Sequence, residues 1–220
     1  LRPFQNGIRV HHVHPHAHRR AFEGKTAVDL EGTIVSLDKL DKTIGKMRSH
    51  FGSVPEVASD SGVVISSGSA AKLEIVWTSY GELHAALAGD DLSRAKSAMT
   101  SVHEAMDELS ETDIPEAGSQ AWASLLAAVV SAVKKVESTE DIEVARAEFE
   151  SVSLAAEAAL RVLGSTGPMQ IMHCPMAFDG RGAKWLQSSV ELTNPYFGAD
   201  MLGCGSTTEV LKPRETSNEE

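Results

Sequence analysis

The chain has 220 residues, 42% of them hydrophobic, enough to bury one or two ordinary globular cores. Acidic residues outnumber basic ones 31 to 20, and the formal net charge of −11 repels phosphate backbones and anionic lipid surfaces, which argues against nucleic-acid binding. No apolar run approaches the ~18 to 20 residues needed to cross a bilayer, so direct membrane insertion is not expected, and the opening LRPFQNGIRV lacks the charged-then-apolar order of a secretion signal.

Residues 1–68 read as a His-rich leader, a short hairpin and a linker. The segment HHVHPHAHRR places five histidines between His11 and His18 around a proline, with no apolar periodicity, which predicts a flexible tract. Imidazoles crowded on such a chain chelate Cu(II), Ni(II) or Zn(II) weakly; the plainer reading is an unstructured leader with incidental histidines. The following KTAVDLEGTIVSLDKLDKTIGKM is rich in β-branched residues around Gly32 and fits a hairpin. GSVPEVASDSGVVISSGSA has linker composition.

From Ala70 the pattern becomes helical. Leu73, Val76, Trp77, Tyr80, Leu83 or His84, and Leu87 recur at three- and four-residue steps, predicting an amphipathic helix that ends near Gly89. Asp90 and Asp91 suit the start of a second helix, whose buried side is Leu92, Ala95, Met99, Val102, Met106 and Leu109. A third runs from about Ser119 with Trp122, Leu125, Val129, Val133 and Val136 inward. A fourth opens at STED, with Ser138 and Asp141 as a capping pair, carries Ile142, Ala145, Phe149, Val152, Ala156, Ala159 and Leu163, and stops at Gly164. Four amphipathic helices on short loops predict an all-α fold: an up-down four-helix bundle over residues 69–210, closed by a small irregular or short-stranded Cys/Met-rich lobe, with a charged tail over 211–220.

Both cysteines of the chain lie in the lobe, Cys174 in MHCPMAF and Cys204 in NPYFGADMLGCG. Met172 and Met176 stand two residues either side of Cys174, and Met201 stands three before Cys204. Thiolates and thioethers are soft donors that favour Cu(I) or Ag(I), whereas Zn(II) would take the cysteines and a histidine but has little use for methionine. The candidate metal ligands are therefore Cys174, Met176, Met201 and Cys204, with His173 and Met172 in reserve. Two cysteines thirty positions apart fit a structural disulfide equally well, and methionines are ordinary core fillers.

The string CPMAFDGRGAKWLQSSVELTNPYFGADMLGCG then adds a resemblance. Its blocks Cys174 to Ala177, Gly182 to Leu186, Asn194 to Gly198 and Met201 to Gly205 resemble, in order and spacing, the closing segment of a helical domain at the C-terminal end of periplasmic adaptor subunits of heavy-metal RND efflux systems, found also as a separate exported protein. The resemblance covers Ala70 to about Val210. It implies a four-helix bundle, a periplasmic setting, a role in handling copper, silver or a related metal as cargo, and an RND adaptor or pump as partner.

Other residues carry weaker signals. His84 and His103 fall on neighbouring helices, where a lone histidine is more often a hydrogen-bonded core residue than a ligand. Trp77, Trp185, Tyr196 and Phe197 are expected to pack the lobe onto the bundle, and Asp179 and Asp200 to be turn residues. No Ser-His-Asp set, phosphate loop, dinucleotide fingerprint or Cys-x-x-Cys pair is present in the sequence, so a binding protein is expected in preference to an enzyme.

Overall fold

The computed structural model describes residues 63–214. The histidine tract, the hairpin, the linker before residue 63 and the last six residues lie outside the described residues.

Four long helices form where the apolar periodicity predicts them: α1 (Ser67–Ala88), α2 (Leu92–Asp107), α3 (Glu116–Ser138) and α4 (Ile142–Leu163). Their ends follow local chemistry. The Ser66 hydroxyl accepts from Ser69 N, so α1 starts three residues before Ala70, inside the linker-like stretch. Asp91 caps α2 by accepting from Arg94 N at 2.9 Å, and Asp141 caps α4 by accepting from Glu143 N. Ser138 is instead the last residue of α3, its hydroxyl turned back on the Lys134 and Lys135 carbonyls. Helix α3 begins at Glu116, immediately after Pro115, which leaves no amide hydrogen to satisfy at the helix entrance. Gly164, at φ 74°, ends α4 in a backbone region that disfavours side chains.

Successive helices pack as antiparallel neighbours, α1 on α2, α2 on α3 and α3 on α4. The fourth side of the bundle is different. There α1 and α4 meet mainly through Tyr80, whose ring stacks on Phe149 at 5.3 Å and whose hydroxyl reaches Ser153 at 2.7 Å. Strand β2 packs against both helices on this side.

The all-α expectation is corrected here. After α4 the chain forms β1 (Met169–Cys174), β2 (Ala183–Gln187) and β3 (Ser206–Leu211), an antiparallel sheet in the order β2-β1-β3. The protein is therefore a helical bundle with a three-stranded sheet, not an all-α bundle with an irregular lobe. The strands escape a periodicity reading because Met169, Ile171, Met172 and Cys174 are all buried, so the central strand shows no polar–apolar alternation. β2 is the same, with Ala183, Trp185, Leu186 and Gln187 buried.

Register fixes what each face of the sheet meets. Ile171 lies opposite Leu186 and Glu209, and His173 opposite Lys184. That face looks onto α4, where Lys184 pairs with Glu157 and Arg161 holds both carboxylate oxygens of Glu209 at 3.0 and 2.6 Å. Met172 lies opposite Trp185, and Cys174 opposite Ala183, on the other face. The loop 188–205 covers this second face: Tyr196 sits edge-on to Trp185 at 5.9 Å, and Gly205 lies so close to the indole that a Cβ would stand 3.0 Å from it. The outer edge of β2 is closed by tyrosine hydroxyls, Tyr80 accepting from Leu186 N at 3.1 Å and Tyr196 donating to the Lys184 carbonyl. One hydrophobic core thus runs from the bundle into the sheet.

Candidate functional site

Cys174 ends the central strand, where sheet neighbours on both sides hold it fully buried. Pro175 and the single helical turn Ala177–Gly180 then reverse the chain, with Phe178, Asp179, Gly180 and Gly182 all at positive φ. This compact reversal returns the chain into β2 beside Cys174.

Cys204 arrives by a separate route. The 3-10 turn Gly198–Met201 leads into it, and Cys204 N donates to the Met201 carbonyl at 2.9 Å. Asn194, itself fully buried, donates Nδ2 to the Cys204 carbonyl at 2.6 Å and accepts from Tyr196 N on its Oδ1. Gly205, at φ 138°, lets the chain pass within 3.0 Å of the His173 carbonyl, measured from where a Cβ would stand. The result is a Cys174 Sγ to Cys204 Sγ separation of 3.6 Å, with both cysteines free thiols. Contact with the Cys174 sulfur is the main cause that raises the Cys204 pKa above the ordinary thiol value, with desolvation second.

The other sequence candidates are distributed unevenly. Met176 and Met201 lie on the two segments that carry the cysteines and are 55% and 37% exposed. Met172 shares the Cys174 face of β1 but is buried, its Sδ accepting from Thr207 Oγ1 at 3.4 Å. His173 falls on the opposite face of the strand, its ring lying over Gly182, where a Cβ would come within 2.7 Å of Nε2. Among the described residues, no three side chains drawn from His, Cys, Asp and Glu converge as a metal-holding group. His84 is buried, with Nε2 at 2.7 Å from the Thr193 carbonyl and its ring stacked toward Trp185 at 6.4 Å. His103 pairs with Asp107 one helical turn away on a partly exposed face. The two histidines are not brought together on a shared partner.

Sequence reasoning passed over a buried ion pair behind the Cys204 loop. Arg146 on α4 is 5% exposed and reaches Asp90 at the α1–α2 turn, with the loop packed against both. One signal was available: the doublet Asp90-Asp91 supplies two carboxylates where a helix needs one cap.

Residues 76–166 match a family model described as "Protein of unknown function (DUF3347)". The match spans the helices from within α1 to the loop after α4 and stops before both cysteines. No curated protein and no solved structure matches the chain.

Proposed function

We propose that the protein is a metal-binding accessory protein of the periplasm, which takes up Cu(I) or Ag(I) at the Cys174–Cys204 pair and passes it by ligand exchange to a heavy-metal RND efflux adaptor or pump. The observation that carries the reading is the 3.6 Å approach of one buried and one partly exposed sulfur. With metal–sulfur bonds of about 2.3 Å, two sulfurs on one ion stand ~3.8 Å apart at a tetrahedral angle and ~4.6 Å apart when collinear. The spacing therefore suits a bent dithiolate with room for a further donor. Met176 and Met201, exposed on the flanking segments, supply thioethers of the right softness, with His173 and Met172 in reserve. Zn(II) would fit the same angle but gains nothing from thioether donors. The periplasmic setting and the efflux partner rest on the resemblance of the Cys174–Gly205 segment alone.

The test is anaerobic Cu(I) titration of the reduced full chain against a chromophoric competitor. Uptake of one Cu(I), abolished in Cys174→Ala and in Cys204→Ala, is expected; unchanged uptake in both variants overturns the reading. Because Cys204 must lose its proton to bind and its pKa is raised, affinity should strengthen as pH rises through neutrality.

The same 3.6 Å separation favours a second reading, in which the helices dock on an efflux adaptor and the cysteines staple the sheet as a disulfide. Reduction would then lower stability by about 2 to 4 kcal/mol without altering metal uptake. A thiol count on the protein as isolated, taken beside the titration, separates the two.

A further inference from the structure

The loop that brings Cys204 to Cys174 is fastened from behind by charged groups that the fold does not otherwise require. Arg146 donates Nε to the Pro195 carbonyl at 2.9 Å, Nη2 to the Leu87 carbonyl at 3.2 Å and to Asp90 Oδ1 at 2.5 Å, and Nη1 to Glu143. A buried guanidinium is costly unless its donors are engaged, and here they are. Asp90 sits at φ 58°, an uncommon conformation for a residue with a side chain. It does not cap α2, because Asp91 does. Its second oxygen, Oδ2, instead accepts from Ala199 N at 2.9 Å, 109 positions along the chain.

Gly198 completes the arrangement. At φ 55° its missing Cβ would stand 2.0 Å from Asp90 Oδ1 and 2.6 Å from Arg146 Nη2, so the loop backbone touches the ion pair directly. From there the hydrogen bonds lead to the thiol by two branches. Ala199 belongs to the Gly198–Met201 turn, whose Met201 carbonyl receives Cys204 N. Pro195, held by Arg146, follows Asn194, which accepts from Gly198 N and donates to the Cys204 carbonyl. Both branches start at Arg146 and Asp90 and end on the backbone of Cys204.

We propose that Asp90, Arg146 and Gly198 are positioning residues of the dithiol site: they fix the Asn194–Cys204 loop so that Cys204 Sγ stays within reach of Cys174 Sγ on β1. The assignment rests on the dithiol being the functional site, yet it is testable without metal.

The variant of choice is Asp90→Gly in the full chain, since glycine tolerates φ 58° and preserves the α1–α2 turn while deleting the carboxylate. Two readouts are taken on reduced protein. One is Cu(I) affinity. The other is the equilibrium with oxidised glutathione, in which two protein thiols become one disulfide as one glutathione disulfide becomes two thiols; its constant reports how closely the sulfurs are held. Both should fall by about tenfold to a hundredfold, the range seen when groups behind a metal ligand are removed. Helical circular dichroism should be unchanged. Asp90→Asn, which keeps an oxygen to accept from Ala199 N, should recover part of the loss and remains informative if the glycine variant folds poorly. Wild-type glutathione equilibria in both variants would overturn the proposal. A wild-type protein that takes up no Cu(I) would sink the metal reading but leave the glutathione comparison to decide the positioning role.

Discussion

Two buried side chains on α1 connect the helices to the sheet through single hydrogen bonds, and each can be tested by changing one atom or one proton. Tyr80 accepts from Leu186 N on the outer edge of β2, and its hydroxyl also meets Ser153. Burial raises its pKa far above the ordinary phenol value, so it acts only as a neutral hydroxyl at physiological pH. Tyr80→Phe keeps the ring stacked on Phe149 but leaves the Leu186 amide unpaired, which should cost about 1 to 3 kcal/mol in urea unfolding. His84 holds the Thr193 carbonyl, and burial lowers its pKa below the model value of 6.5. In the pH window below 6.5 the unfolded chain therefore binds a proton that the folded chain refuses, so stability falls as pH drops through that window. His84→Gln offers an amide donor to the same carbonyl and should flatten that part of the stability–pH curve. A slope unchanged by the substitution would assign the pH dependence to other groups.

Helical elements were legible because their signals are local. Asp91 and Asp141 cap as their positions suggest, Gly164 stops α4, and the three- and four-residue apolar steps mark the buried faces. The strands were not legible, since β1 and β2 are buried on both faces and their short apolar runs carry no period to read. The candidate site was half visible. Soft residue types marked Cys174 and Cys204, but only the register shows that His173 points away from Cys174 and that Met172 is engaged with Thr207. The Asp90–Arg146 clamp depends on a contact across 56 positions, beyond any local pattern. Element interiors also yield opposite expectations at two helical glycines. A Cβ at Gly81 meets nothing within 4 Å, so Gly81→Ala should stabilise α1 by about 0.5 to 1 kcal/mol. At Gly118 it would stand 2.5 Å from Leu163 Cδ2, a side chain with no room to retreat, and overpacking of about 1 to 3 kcal/mol should outweigh the propensity gain. Paired denaturant titrations check the two signs.

At the scale of the whole molecule, the boundary of the DUF3347 match does not coincide with a folding boundary. Residues 76–166 include most of α1 and all of α2, α3 and α4 but none of the sheet. Yet β2 fills the side of the bundle where α1 and α4 meet mainly through Tyr80, and Trp185 and Tyr196 extend the aromatic stack that begins with Tyr80 and Phe149. Cutting the chain after Thr166 would expose that stack to water, remove the Pro195 carbonyl from the buried Arg146 guanidinium and leave His84 without Thr193. The helices should persist, since their caps and the contacts between successive helices survive, but the fourth side would lose its packing. The expected product retains helical circular dichroism, binds a hydrophobic dye and unfolds over a broad, early urea transition. Cooperative unfolding of 63–166 at the full-length midpoint would instead make the sheet an appendage on a self-sufficient bundle. Under the first outcome, loosening the Cys204 loop and loosening the bundle are linked through Arg146, so the geometry of the thiol pair would report on the packing of the whole domain.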